Sequence, residues 1–334
     1  MPEIRKASTI EGGVMSRFYG DAFPERAAFL SKHWRWLYRV GRFPGIEPQV
    51  LVENGRVVGQ AGVIPLTLSR LGKQSTAIWF VDFSILPEFQ GRGHGKALTE
   101  AWMAMCPDRV TFCNERSIQV FRKFGWKERA DASVLTLPLE LSEPLKRFGP
   151  LAGAAGGLLN GAWLALRRAR ASGAPALETT PLPLDAGGLA ERLDDPAAAG
   201  VRIVRDAQWF KWRLLENPRR DEHVLASAGG VNAVFRLFTS RGRRRAHLLH
   251  VGPGSAPARA GMVKAFARWA LERRADDAWA ATSEPELLAA GAPLFPRRRP
   301  LRFAWHSADA AVADALAGPL PTQGIDSDHD LMFP

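Results

Sequence analysis

The first 140 residues alternate between short apolar, β-branched runs and longer amphipathic stretches. Runs at 49–53 and 56–64 read as strands, and Asn54-Gly55 between them is a hairpin turn signal. The stretch 75–86, STAIWFVDFSIL, is apolar on both faces, which predicts a central strand. Pro87 ends it, because proline has no N–H for a ladder. A helix is predicted over 95–105, a short buried strand over 110–113, and a helix over 116–124 closed by Gly125. A last strand is expected at 132–137.

The pattern then changes. Residues 141–198 are rich in Ala, Gly, Leu and Pro, and 148–166 carries no charge between Lys146-Arg147 and Arg167-Arg168. Its length could span a bilayer, but its glycines, its proline and Asn160 argue against that, so a packed or interfacial linker helix is the expectation, the interfacial form giving peripheral membrane contact through 148–166. Beyond it a weak repeat emerges. His33-Trp34-Arg35-Trp36 precedes Phe43-Pro44 and Val50-Leu51-Val52. Trp209-Phe210-Lys211-Trp212 precedes Asn217-Pro218 and Val224-Leu225-Ala226, at an offset of 174–176. A period of that size indicates a duplicated domain.

Length and composition agree with two domains. The chain has 334 residues, which at roughly 150 per domain suggests two units. A 46% hydrophobic and 24% charged composition excludes a disordered chain and a polytopic membrane protein. Cys106 and Cys113 alone build neither a disulfide framework nor a structural zinc site. They fit a reducing, cytoplasmic compartment, the start MPEIRKASTI carries no signal-peptide core, and no metal is expected. The net charge of +11 favours anionic ligands. The runs Arg243–Arg245 and Arg297–Arg299 lack interleaved aromatics, so they read as solvated faces and no nucleic-acid partner is expected.

The chemistry concentrates in 83–98, FSILPEFQGRGHGKAL. A central strand runs into Gln90-Gly91-Arg92-Gly93-His94-Gly95, and a helix opens near Lys96. Glycines there let the backbone adopt positive φ, so that successive amides converge at a helix N-terminus. That arrangement suits a phosphate or pyrophosphate, with Arg92, His94 and Lys96 adding charge. A P-loop is excluded because Ala97, not Ser or Thr, follows Lys96, and the glycine spacing does not fit a dinucleotide fingerprint.

Gln90, Gly93 and Gly95 instead match the Gln/Arg-x-x-Gly-x-Gly loop of the GNAT superfamily of acyl-CoA-dependent N-acyltransferases. The flanks strengthen the resemblance over 1–140: Ile85-Leu86-Pro87-Glu88-Phe89 before the loop, Asn114-Glu115-Arg116-Ser117 after the next strand, and Phe121-Arg122-Lys123-Phe124-Gly125-Trp126 at the end of the following helix. The resemblance implies an α/β protein with two GNAT-like domains, each a mixed twisted sheet flanked by helices. The expected units are a 1–140 acyl-CoA-binding domain, a 141–198 linker and a degenerate 199–334 domain. It also implies that strands 77–86 and 110–113 splay to admit acetyl-CoA or another acyl-CoA. The amide near Ile85 would polarise the thioester, loop 90–96 would hold the pyrophosphate, and Asn114, Ser117 and Phe121 would line the pantetheine arm.

The chain departs from the family at the catalytic positions. Where members carry a tyrosine acid stands Phe121, and where some carry a glutamate base stands Trp79. Asp82 is near, but strand alternation is expected to turn it to the face opposite Trp79. A second candidate is the cluster Asp326, Asp328, His329 and Asp330, with Asp328 reaching the acceptor pocket if the halves pack together. In the second half, Gly252-Pro253-Gly254-Ser255-Ala256-Pro257 holds two prolines that remove the donors a phosphate needs, so no second CoA site is expected. The expected reaction is acyl transfer to a primary amine such as an amino sugar or small metabolite. A non-catalytic acyl-CoA sensor and an aminoacyl-tRNA-dependent transferase are the alternatives.

Overall fold

A computed structural model describes residues 2–146, 148–196 and 200–328. The first half runs β1 (Glu3–Lys6), α1 (Gly12–Ala22), α2 (Ala27–Leu37), β2 (Gln49–Glu53), β3 (Arg56–Arg70), β4 (Lys73–Ile85), α3 (His94–Met103), β5 (Asp108–Cys113), α4 (Glu115–Lys123) and β6 (Lys127–Pro138). The segment expected as a linker holds α5 (Ser142–Lys146), α6 (Pro150–Arg170), β7 (Glu178–Pro181) and α7 (Ala186–Leu193). The second half adds β8 (Val201–Ile203), α8 (Ala207–Phe210), β9 (His223–Ala228), β10 (Val231–Ser240), β11 (Arg243–Val251), α9 (Ala256–Glu272), β12 (Asp277–Thr282), α10 (Pro285–Gly291), β13 (Arg297–Ser307) and α11 (Ala310–Ala317).

From β9 onward the second half repeats the order strand–strand–strand–helix–strand–helix–strand that begins at β2. In both halves the third strand of that series pairs in parallel with the fourth, β4 with β5 and β11 with β12. All the strands but β8 join one sheet in the order β1-β2-β3-β4-β5-β13-β6-β12-β11-β10-β9-β7, and β8 pairs with β3. The two halves exchange their last strands. β13 lies between β5 and β6, antiparallel to both, and β6 pairs antiparallel with β12. The two lobes therefore share one continuous backbone ladder. The segment expected as a linker also contributes to that sheet, through the pairing of β7 with β9.

Two local features differ from the sequence expectation. β3 continues through Pro65 to Arg70. β2 pairs only with residues 56–61 of β3 and β8 only with 68–70. Pro65 falls in the gap between them, where its missing donor costs no ladder bond. In β4 the register against β3 slips between Val81 and Ser84. Asp82 sits in that bulge at φ +49.

The helices cover both faces. Trp34 and Leu37 of α2 pack with Trp79, Val81 and Phe303 on one side. Leu98 and Trp102 of α3 pack with Ile78, Phe80, Phe121 and Trp126 on the other. Among the described residues no helix is long and apolar enough to cross a membrane.

Candidate functional site

β4 and β5 pair only from Ala77–Asp108 to Trp79–Val110, although both strands run on, to Ile85 and Cys113. At the fork the Thr111 hydroxyl donates to the Phe80 carbonyl (2.8 Å). Beyond it lies a cavity of about 370 Å³, lined from β4 by Phe80 to Phe83, from β5 and α4 by Cys113, Asn114, Ser117 and Phe121, and from the second half by Arg299, Leu301 and Asp328. The fork follows from the bulge, which bends β4 away from its neighbour.

The loop after β4 is exposed. Gly91 and Gly93 stand at φ +79 and +81, and a side chain at either would meet no neighbour, so the glycines serve conformation and not packing. Lys96 and Ala97 donate to Gly93, which begins α3. Among the described residues, no intramolecular acceptor is found for the amides of Gly91 to Gly95. They converge at the positive end of α3, a ready anion cradle. Three loop side chains are engaged locally. Gln90 Nε2 donates to the Ile85 carbonyl (2.9 Å), Arg92 donates to the Glu88 carbonyl (2.7 Å) and stacks on Phe89, and Lys96 lies 3.8 Å from Glu100. His94 Nε2 lies 3.9 Å from Glu53. The Leu86 amide donates to Val58, so ladder alternation turns the Ile85 amide away from β3 toward the fork.

Asn114 and Ser117 reach the cavity wall but also bond each other. The Ser117 amide donates to Asn114 Oδ1 (2.9 Å) and the Asn114 amide to Ser117 Oγ (3.0 Å), which caps α4. Phe121 packs against Phe80 and Trp126, an apolar contact with no proton to give. Burial pushes the Cys113 thiol up to about 11, so the thiolate needed for a covalent intermediate is scarce at neutral pH.

Asp82 corrects the expectation from alternation. Its left-handed backbone in the bulge turns the carboxylate to the Trp79 face, toward α2. There Asp82 accepts from Tyr38 Oη (2.7 Å) and from Arg26 Nη1 (2.5 Å). Gln60 in turn donates to Tyr38 (3.1 Å). A Cβ at Gly62 would lie 2.8 Å from the Val81 carbonyl and 3.1 Å from Asp82 Cβ, so only glycine permits this approach. Burial lifts the Asp82 carboxyl above its ordinary range; Arg26 opposes the shift and Asp328 adds to it. Burial, then Asp82, likewise raise the Tyr38 phenol. Against burial, Asp82 and Asp328 hold the Arg26 guanidinium above its usual value. Among the described residues, Arg26 Nε and Nη2 are buried without a hydrogen-bond partner beside the cavity.

Asp328 arrives from the second half and lies 3.4 Å from Arg26. Its path is anchored in the fork of the other lobe. Gln323 spans Val251 there: its Oε1 accepts from the Val251 amide (2.7 Å) and its Nε2 donates to the Val251 carbonyl (2.9 Å). Thr322 bonds Ser283, and Asp326 is buried in a pair with Arg205 (2.6 Å). Arg213 donates to the Ile325 carbonyl (2.8 Å). The chain's own 322–326 segment thus fills the β11–β12 fork. The adjoining loop is packed shut, since a Cβ on Gly254 would lie 2.5 Å from Val231. Asp326 is therefore a structural ion-pair partner, while His329 and Asp330 lie outside the described residues. Sequence reasoning missed Arg26 and Tyr38 because they sit 56 and 44 residues before Asp82.

Residues 14–126 match the acetyltransferase (GNAT) family model. No curated protein matches the chain by sequence. Among solved structures, Saccharomyces cerevisiae N-myristoyltransferase with bound myristoyl-CoA is similar at TM-score 0.60 and 11% identity, over 91% of this chain and 78% of that one. A probable N-acyltransferase from Enterococcus faecalis V583 is similar at 0.59 and 11%, over 91% and 72%. A GCN5-related N-acetyltransferase from Kribbella flavida is similar at 0.55 and 15%, over 94% and 73%. At these identities the likeness is one of fold, and it extends through both lobes.

Proposed function

We propose, from the match of residues 14–126 to the acetyltransferase (GNAT) family model, that the chain transfers an acetyl group from acetyl-CoA to a small primary amine. The observation that carries the reading is the fork between β4 and β5, open beside a loop of uncommitted amides. The residues present fit an acyl-CoA. Amides 91–95 and the α3 terminus suit its diphosphate. The fork suits the pantetheine arm, with Asn114, Ser117 and Phe121 along it. The Ile85 amide faces the place of the thioester carbonyl and acts as an oxyanion donor.

The acceptor nitrogen attacks that carbonyl, the carbon–sulfur bond breaks, and CoA leaves as the thiolate. The proton lost by the amine passes to Asp82 or Asp328. A carboxylate lifted by burial is a better base than a solvated one. Tyr38 orients Asp82, and Arg26 holds the two carboxylates in register. The Nε and Nη2 of Arg26, without a partner among the described residues, suit an oxygen next to the reacting amine, as in an amino sugar. The carboxylate pair at Asp82 and Asp328 favours catalysis over a sensor role despite Phe121.

The test is thiol release from acetyl-CoA across a panel of amines, with calorimetry of acetyl-CoA binding. One equivalent bound per chain and turnover with an amino sugar support the reading. Binding without turnover for any amine leaves the sensor, and two equivalents overturn the assignment of the second lobe.

A further inference from the structure

The inner face of α6 is committed to the protein. Gly153 and Gly156 let α5 approach closely: a Cβ on Gly156 would lie 2.9 Å from the Leu141 carbonyl. Trp163 donates to the Pro138 carbonyl (2.8 Å). Arg167 is buried over the Trp163 ring and donates to the Leu294 carbonyl (3.2 Å). The outer face has the opposite character. Leu151 and Leu158 are 86% and 88% exposed, with Phe148, Leu159 and Leu166 exposed beside them. Ala154, Ala155, Ala162 and Ala165 fill the intervals. The spacing i, i+3/i+4, i+7 places these side chains on one stripe, and no charge interrupts it from 148 to 166. An uncharged exposed stripe of this length marks an interaction surface.

Charge decides the occupant. Lys146 is exposed before the stripe, and Arg168 and Arg170 after it. Arg170 and Lys264 of α9 also line a groove with Pro293 and Leu294 at the C-terminal end of α6. A second copy of the chain, docked parallel or antiparallel on this face, would set cations against cations at both ends. Anionic headgroups pair with them instead. The helix is too weakly apolar to span a bilayer and has the form of one that lies in the interface.

The geometry points to the outer face of α6 as a docking surface for a membrane leaflet rich in anionic lipid. The leucines enter the acyl boundary, and Lys146, Arg168, Arg170 and Lys264 meet the headgroups. This surface is separate from the β4–β5 fork and stands whether or not the acetyl-transfer reading holds.

The experiment is co-sedimentation of the full chain with phosphatidylcholine vesicles, with or without phosphatidylglycerol. Binding only to the anionic vesicles, weakening as salt rises, is expected. The double variant Leu151→Glu/Leu158→Glu should lose at least about tenfold in vesicle affinity. Its circular dichroism and urea midpoint should be unchanged, which shows that it folds. No sedimentation with anionic vesicles overturns the proposal. So does equal binding to both vesicles, or a wild-type dimer that the double variant makes monomeric without vesicle binding.

Discussion

The indole of Trp36 donates to the carbonyl of Trp212 (2.9 Å), and the indole of Trp212 donates to the carbonyl of Trp36 (2.7 Å). The two residues stand 176 apart, at the repeat offset visible in the sequence. A reciprocal pair is what a local two-fold produces, since each half offers the same donor and acceptor to the other. Trp36→Phe keeps most of the ring but strands a half-buried carbonyl. A loss of about 1–2 kcal/mol in urea unfolding is expected. Trp212→Phe should cost the same, and the double variant less than the sum.

Asp82 is the base candidate on β4, and it lines the cavity together with Asp328. Asp82→Asn should lower kcat by about a hundredfold or more and leave the KM for acetyl-CoA unchanged. Tyr38→Phe removes the donor that orients the carboxylate, so it should lower kcat less and leave the fold intact by circular dichroism. An unaffected kcat in Asp82→Asn would move the proton elsewhere.

Asp328 has two effects that separate in one measurement. Its charge raises Asp82, so activity limited by Asp82 should rise with pH through a value above the ordinary carboxylate range. Asp328→Asn removes the like charge, and the acidic limb of kcat should move to lower pH while kcat falls. Gln323→Ala loosens the anchor of the same segment in the second fork. It should lower kcat without touching acetyl-CoA affinity, because the residue lies in the other lobe.

Gly93 is set by its backbone and not by space. Gly93→Ala should cost about 1–2 kcal/mol of stability at φ +81. It also perturbs the amide cradle, so acetyl-CoA should bind about tenfold more weakly by calorimetry.

His223 and His250 predict the acid limit. Burial pulls both down to about 3, and each gives its one proton to a carbonyl, Arg219 and Leu193 respectively. Between their ordinary value near 6.5 and about 3 the unfolded chain binds more protons than the folded one. Stability therefore rises with pH through that window and falls on acidification. Urea midpoints should drop steeply from pH 6.5 to 4.5, and His250→Gln should flatten the slope.

What the sequence disclosed was local. The loop at 90–95 was legible because glycine spacing, a preceding strand and a following helix are all written within one short segment. The Trp repeat was legible for the same reason, twice over. Asp82 was misjudged because alternation assumes a regular ladder, and the bulge against Gln60 and Gly62 depends on the partner strand. Tyr38 and Arg26 were invisible because only the tertiary fold brings α2 under β4. The exchange of β6 and β13 was equally hidden, since an antiparallel pairing leaves no mark on which distant strand it will choose.

That exchange makes the lobe with the closed loop and the filled fork a structural support of the other. β5, one wall of the open fork, has its other edge held by β13, and β13 also supplies Arg299 and Leu301 to the cavity. Separating the halves would strip β5 of β13 and β6 of β12, and would bare sticky edges to aggregation. The two halves are bound to each other by shared carpentry, and neither can be reshaped further than that joint allows.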